Sequence, residues 1–366
     1  MNATFAPGCL DGVRVLDLSR VLAGPWSTQI LGDLGADVVK VERPGEGDGT
    51  RTWGPPFLKD AAGRNTAESA YYLSANRNKR SVAIDFTRPE GSALVRRLAA
   101  GSDVLVENFK VGTLARHGLG FDDLRRVNER LVYCSITGFG QDGPYAPRPG
   151  YDYLAQGMGG LMSLTGPADG DPTKVGVGIA DLMTGMYATV AVLAMLRRRD
   201  QTGRGQHADV SLLDCQIAWL SSQAQSFLTS GEAPPRLGNA HQNISPYETF
   251  PTRDGHLILA VGNDRQFRAL CELAGVPGLA GDPRFRTNEG RVVHRAELSA
   301  LLRELTARRS TREWLEGLEP LGVPAGPVNT IPQVFEDPHV RARGAVVRVD
   351  HPLAPEPVAL VASPLR

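Results

Sequence analysis

The sequence of 366 residues has almost none of the usual catalytic signatures. Its four cysteines, Cys9, Cys134, Cys215 and Cys271, are scattered with no CxxC. That excludes a disulfide framework and a cysteine-based zinc site, and it suits a reducing cytoplasm. The seven histidines stand alone. There is no HExxH, no GxxxxGK[ST] and no Ser–His–Asp signature, so metal hydrolysis, P-loop phosphate transfer and serine chemistry have no support and no metal is expected. Charge of one sign is not in excess: Lys+Arg and Asp+Glu are 40 each. The balance implies no nucleic-acid or membrane partner, and any anion site must be local. The N-terminus lacks a basic-then-apolar leader pattern. The most apolar run, Leu182–Leu196, is short for a bilayer and holds Thr184 and Gly185, so it reads as a core helix.

What is there is alternation. "VRVLDL" reads as a buried strand, "WSTQILGDLG" as a helix closed by glycine, "ADVVKVE" as a strand. "SVAIDF", "PEGSALVRRLAAG", "DVLVEN", "FDDLRRVN" and "LVYCSITGFG" repeat the pattern. The reading is α/β, a doubly wound domain with a parallel sheet. "HADVSLLDCQIAWLSSQAQSFLTSG" predicts a strand and a long helix. "GEAPPRLGNAHQNISPYETF" loses all period and reads as a linker or active-site loop. "RAELSALLRELTARRSTREWLEGLE" supplies helical period in a second unit, and "GVPAGPVNT" reads as the crossing back. The expected organisation is a large domain from residues 1–200 and 325–366, a linker at 201–240, and a small α+β domain with the return linker at 241–324.

Several residues stand out, each with a plain alternative. Asp181 opens the apolar run; an acid there also serves as a helix cap or first-turn residue. Arg43 after the second strand suits a phosphate, or is a surface arginine. "NRNKRS" gathers Arg77, Lys79 and Arg80 beside Asn76, which makes a local anion site or a solvated loop. Asn108 and Phe109 end another predicted strand, with Arg116 soon after; strand carboxyl ends are where open α/β sheets bind ligands. In "GYDYLAQGMGGLMSLTG", Gly159 and Gly160 could donate N–H groups to an oxyanion or allow tight helix packing, with Tyr151 and Asp152 at the entry.

Taken together, "RVLDLSRVLAGPWSTQILGDLGADVVKVERPGEGD", "YYLSANRNKRSVAIDF", "DVLVENFKVGTL", "YCSITGFGQDGP", "GYDYLAQGMGGLMSLTG" and "ADLMTGMYA" closely resemble the class III, formyl-CoA transferase-like CoA-transferases of CaiB/BaiF type. Within them the sequence is most similar to the succinyl-CoA:dicarboxylate branch. The resemblance covers nearly the whole chain. It implies that Asp181 is the nucleophile and that Val21, Ala23, Arg43, Asn76, Lys79, Arg80, Asn108, Phe109 and Arg116 contact coenzyme A. It further implies a Rossmann-like large domain made from both chain ends and an interlocked homodimer. Leu22 replaces the glutamine of formyl-CoA transferases, and "GNAHQN" (Gly238–Asn243) replaces their glycine-rich lid; both argue against formyl or oxalyl specificity. The related 2-methylacyl-CoA racemases carry histidine where Tyr151 stands, and tyrosine is a poor proton partner for a carboxylate. The family usually runs on past "SPLR", whereas this sequence ends at Arg366.

The expected chemistry needs one aspartate. Asp181 would attack an acyl-CoA thioester, pass through an aspartyl anhydride and an aspartyl-CoA thioester, and hand CoA to a second acid. No tightly bound cofactor and no ATP is required, since one thioester replaces another; the acyl-CoA is substrate. Arg20, Tyr151 and His241 are the candidates on the substrate side, Arg20 or His241 to hold a distal carboxylate. The helix dipole would favour the Asp181 anion and blunt it, while desolvation would act the other way; the sequence leaves that balance open. It also leaves open the acceptor acid, a racemase, and an inactive CoA-binding homologue.

Overall fold

The computed structural model describes residues 8–365. Six strands form one parallel sheet: β1 (Arg14–Asp17), β2 (Asp37–Glu42), β5 (Lys79–Ala83), β6 (Val104–Glu107), β7 (Val132–Thr137) and β8 (His207–Ser211). A short hairpin, β3 (Phe57–Lys59) and β4 (Asn65–Ser69), intervenes in the chain. The sheet order is β5-β2-β1-β6-β7-β8, every neighbouring pair parallel. The chain works outward from β1 in one direction, then returns and works outward in the other. The reversal opens a crevice beyond the carboxyl ends of β1 and β6.

Strand periodicity builds the two faces. Val15, Val104, Val106, Val132, Cys134 and Ile136 belong to one buried cluster. The residues between them, Leu16, Leu105 and Tyr133, belong to the other. Side chains alternate across a strand, and a parallel sheet is covered on both sides, so these strands carry runs of consecutive apolar residues, such as Val15–Leu16 and Val104–Val106. The first cluster is closed by α1 (Ala23–Asp33) and α6 (Ile179–Thr202). Between them in the chain lie α2 (Ala70–Ala75), α3 (Pro89–Ala100), α4 (Phe121–Leu124) and α5 (Asp152–Met158). On α6 the buried positions include Ala180, Thr184, Gly185, Ala188, Thr189, Val192 and Leu196, a 3.6-residue stripe. Met186, Tyr187 and Val190 on its other side are exposed, so the expected core helix is buried on one face only. By length and composition alone α6 is apolar enough to cross a membrane.

The chain divides into two compact units, and the boundaries differ from those expected. The first comprises the chain up to Met162, Lys174–Glu232 and the stretch from Arg341 on. The strand expected at the start of "HADVSLLDC" forms as β8, and the helical stretch after it as α7 (Leu212–Ala218) and α8 (Ser221–Ser230); they belong to this unit and not to a linker, because β8 finds its hydrogen-bond partner in β7. The expected single long helix breaks where Ser221 adopts a positive φ of 47°. The second unit is Ser163–Thr173 with Ala233–Val340. Its antiparallel sheet pairs β9 (Tyr247–Pro251), β10 (His256–Ala260) and β11 (Ala325–Pro327) over a core with Phe250, Phe267, Phe285 and Trp314. The pairing of β11 with β10 keeps residues 325–340, expected in the large domain, in this unit.

Buried charges tie the loop after β1 to the sheet. Lys40 on β2 donates to Ser19 O (2.7 Å) and pairs with Asp48 at 3.0 Å. Lys79 on β5 donates to Asp17 (3.1 Å), Pro25 O and Asn76 Oδ1 (both 2.9 Å). Burial opposes ionisation of Asp17, but the Lys79 and Lys40 ammonium groups with donors from Ser19 and Thr28 outweigh it and bring its pKa down to about 2. Burial pushes Lys79 down to about 8. Such groups are costly to leave unpaired, so they lock the backbone they touch.

The α1–α6 contact depends on Gly185. A Cβ there would lie 2.7 Å from Ala23 O and 3.1 Å from Trp26 Cδ1. Gly185→Ala should therefore lower unfolding free energy by about 1–3 kcal/mol in a denaturant titration, despite the higher helix propensity of alanine. An unchanged midpoint would show that the two helices have room to separate.

Candidate active site

The crevice is built from three loops at strand carboxyl ends. After β1, Val21 takes φ +70°, a left-handed conformation costly for a β-branched residue. Three bonds hold it there. The Asn108 amide, one residue past β6, accepts Arg20 N–H (2.8 Å) and donates to Arg20 O (2.6 Å). Asp48 accepts Val21 N–H at 3.2 Å. Glu107 in turn accepts Phe109 N–H (2.8 Å), and the Arg20 guanidinium lies 4.5 Å from the Phe109 ring centroid. The helix that follows, α1, has no side-chain cap and carries Pro25 in its first turn. The N–H groups of Ala23 and Gly24 have no intrahelical partner, and they stand at the positive end of the helix beside the crevice.

Asp181 is the third residue of α6, half-buried. The N-cap, Gly178, has no side chain to offer, and another acid supplies the cap. Asp152, the first residue of α5, accepts Ala180 N–H (2.7 Å) and Asp181 N–H (3.2 Å) on Oδ1. Its Oδ2 accepts Gln156 Nε2 at 2.7 Å. A Cβ on Gly178 would lie 3.1 Å from Leu22 Cδ2, a tight contact, and 3.5 Å from Asp152 Cγ, an ordinary one. Burial, with the Asp152 charge added, pushes the Asp181 carboxyl up to about 7. The balance left open by the sequence thus goes to desolvation. Tyr71 on α2 shares this field: burial, then the Asp181, Asp152 and Asp48 charges, push its phenol up to about 12.

A cavity of about 150 Å³ brings together Arg20, Val21, Ala23, Asn108, Phe109, Tyr151 and Asp181. Lys110 and Arg148 line it too, and sequence reasoning missed both; their signal was position after a strand end. Asp152 was noted there only as lying at the entry of the glycine-dense stretch, and its cap on α6 was missed; so was Tyr71. Arg20 and Phe109 also line a larger cavity, of about 800 Å³, at the ends of β1 and β2. Arg43 is there, exposed and paired with Glu46 at 2.8 Å.

Other expected residues are elsewhere. Asn76 and Lys79 are buried struts: Asn76 Nδ2 donates to Tyr72 O at 2.9 Å, and Lys79 is spent on Asp17. Arg80 pairs with Asp37, the first residue of β2, at the amino edge of the sheet away from the crevice. Arg116 is exposed near Thr113 and lines neither cavity. Gly159 donates its N–H to Ala155 O (2.8 Å), and a Cβ there would meet Gln216 Cγ at 2.5 Å. Tight packing is therefore its role, and neither it nor Gly160 lines the crevice. His241 lies in the second unit, its ring centroid 5.2 Å from that of Tyr247 and its Nδ1 accepting Asn243 N–H.

Residues 10–366 match a family described as CoA-transferase family III. The chain is 53% identical over 341 residues to succinate–glutarate CoA-transferase of Agrobacterium fabrum, covering 93% of this chain and 84% of that one. It is 46% identical over 343 residues to succinyl-CoA:glutarate CoA-transferase of Homo sapiens, 94% of this chain and 77% of that one. It is 39% identical over 363 residues to succinyl-CoA:mesaconate CoA-transferase of Haloarcula hispanica, covering 98% and 90%. The crystal structure of a CAIB/BAIF family protein from Brucella suis superposes with TM-score 0.88 at 49% identity, covering 99% of this chain and 93% of that one.

The raised pKa of Asp181 has a thermodynamic sign. Ionisation is disfavoured in the folded state, so its cost to stability is absent below the unfolded value near 3.8, builds as pH rises, and is complete above about 7. Asp181→Asn should be more stable than the native chain by on the order of 1–3 kcal/mol at pH 8, with no advantage near pH 4. Thermal melts across that range check it; equal stability at pH 8 would place Asp181 in an ordinary aqueous setting.

Proposed function

The chain belongs to CoA-transferase family III, and from that premise we propose that it moves coenzyme A from succinyl-CoA to a second dicarboxylic acid through covalent intermediates on Asp181. The observation that carries this is the Asp181 carboxylate, half-buried, in one crevice with Arg20, Asn108 and Phe109. An Asp181 oxygen attacks the thioester carbonyl; the C–S bond breaks and CoA leaves as thiolate, giving a mixed anhydride. The thiolate attacks the aspartyl carbon, releasing the donor carboxylate and leaving an aspartyl-CoA thioester. The acceptor carboxylate attacks that carbon, expelling thiolate again. The thiolate then takes the acceptor acyl group and restores Asp181. Each bond made is matched by one broken, and no net proton moves.

The altered basicity of Asp181 suits these exchanges. An ordinary thiol titrates near ~8.5 and an ordinary carboxyl near ~4, so acyl transfer from sulfur to carboxylate is strongly uphill. A nucleophile raised to about 7 narrows the gap and is still largely ionised at neutral pH. The N–H groups of Ala23 and Gly24 at the start of α1 replace Gly159 and Gly160 as oxyanion donors in this reading. Among the described residues no carboxylate pairs with Arg20, Lys110 or Arg148, so these cations are available to phosphate and to a distal carboxylate. Arg148, 4.0 Å from the Tyr145 ring centroid, joins Arg20 as a candidate for the carboxylate.

We assign the assembly as an interlocked homodimer. The support is apolar surface in the first unit: Tyr153 and Leu154 on α5, Met186 and Val190 on α6, Phe227 and Leu228 on α8 are exposed. The thiols of Cys134, Cys215 and Cys271 are buried and free, which suits a reducing compartment such as the cytoplasm.

Two experiments test the reading. Asp181→Asn should lose at least about a thousandfold in CoA transfer while remaining folded, and native protein mixed with succinyl-CoA should yield a hydroxylamine-sensitive adduct on Asp181. Transfer at the native rate would overturn it, and α-proton exchange from a 2-methylacyl-CoA without acceptor acid would favour racemisation. Arg20→Ala and Arg148→Ala should separate the distal-carboxylate role: the responsible cation, once removed, raises KM for succinyl-CoA by about 10–100-fold and spares a monocarboxylate donor. Equal effects on both donors would assign that arginine to coenzyme A.

A further inference from the structure

We propose that Asp152 is a positioning residue for the nucleophile: it occupies the start of α6, holding Asp181 at the crevice while denying it the donors that would make it inert. The inference rests on the reading of Asp181 as nucleophile.

An acid at the third helical position ordinarily reaches back to the helix start, becoming part of a capping box and surrendering its reactivity to backbone donors. Here the first-turn N–H groups of Ala180 and Asp181 point at Asp152 instead. Two carboxylates therefore share one helix end unequally. Asp152 receives three donors, two from the backbone and one from Gln156. Among the described residues nothing donates to the Asp181 carboxylate, whose surroundings are burial and the charge of Asp152. Environments that separate two nearby acids in this way separate their roles.

The arrangement is rigid. Gln156 is fully buried, and its Oε1 accepts Val175 N–H at 2.9 Å, so its Nε2 is committed to Asp152 and the amide cannot turn over. The other charged or titratable groups around Asp181 are Tyr71 on α2, Tyr151 before α5, and Arg20, Lys110 and Arg148 on the crevice loops. Among these neighbours, it is the charge of Asp152 that opposes ionisation of Asp181, in addition to burial.

The test separates charge from shape. Asp152→Asn keeps an acceptor for the helix but sets its amide donor against that of Gln156, so the informative variant is Asp152→Asn with Gln156→Met, compared with Gln156→Met alone. Asp152→Ser, which retains a capping oxygen without charge, serves as the second variant. The rate of acyl-adduct formation on Asp181 with succinyl-CoA is measured between pH 5 and 9. In the native chain the rate should fall about tenfold per pH unit below a midpoint near 7. In the uncharged variants the midpoint should drop by more than about 0.3 unit, with a lower plateau at pH 9, and Asp152→Glu should restore the native midpoint. A midpoint within ~0.3 unit of native, whatever happens to stability or plateau rate, overturns the role of Asp152. Absence of any adduct in the native chain at pH 9 overturns the nucleophile reading beneath it.

Discussion

One helix end shared by two acids organises this molecule. The start of α6 offers backbone donors, Asp152 takes them, and Asp181 is left half-buried beside a like charge. Position and reactivity come from the same contact. The helix supplies a rigid mount for Asp181, while its electrostatic benefit goes to a neighbour. The folded state bears a stability cost for that, as functional sites often do.

The mount works because the rest of the crevice is equally fixed. The sheet reverses between β1 and β6, so loops from both meet at their carboxyl ends. Asn108 grips Arg20 from both sides, and Asp48 holds the strained Val21. Behind them Lys40 and Lys79 thread the buried layer to Ser19 and Asp17. These are expensive groups to bury, and their geometric return is a loop whose backbone has one conformation. Gly185 then lets α6 settle against α1, bringing the Asp181 mount to the Arg20 loop.

Burial and pairing sort the candidate charges into those with partners and those without. Arg77, Lys79 and Arg80 form a dense cationic run in a neutral sequence, which reads naturally as an anion site. Folded, Lys79 is a strut to Asp17, Arg77 binds Asp33, and Arg80 pairs with Asp37. Each cation had a carboxylate waiting more than forty residues away in the chain. Arg20, Lys110 and Arg148 have no such partner among the described residues, and all three line the crevice. Gly159 follows the same logic, since its missing side chain serves Gln216 and not a ligand.

Read alone, the chain's order of residues already carried the family, the alternation that makes a parallel sheet, and Asp181 as the candidate acid. These are local patterns: strand and helix period, and short motifs around Asp181, Asn108 and Phe109. Which charges are struts and which are available, where the units divide, and how far the Asp181 carboxyl is pushed up came from the folded chain. Those properties depend on burial and on partners distant in the chain, such as Asp152 twenty-nine residues before Asp181. A carboxylate has the same letter whether water or another acid stands beside it.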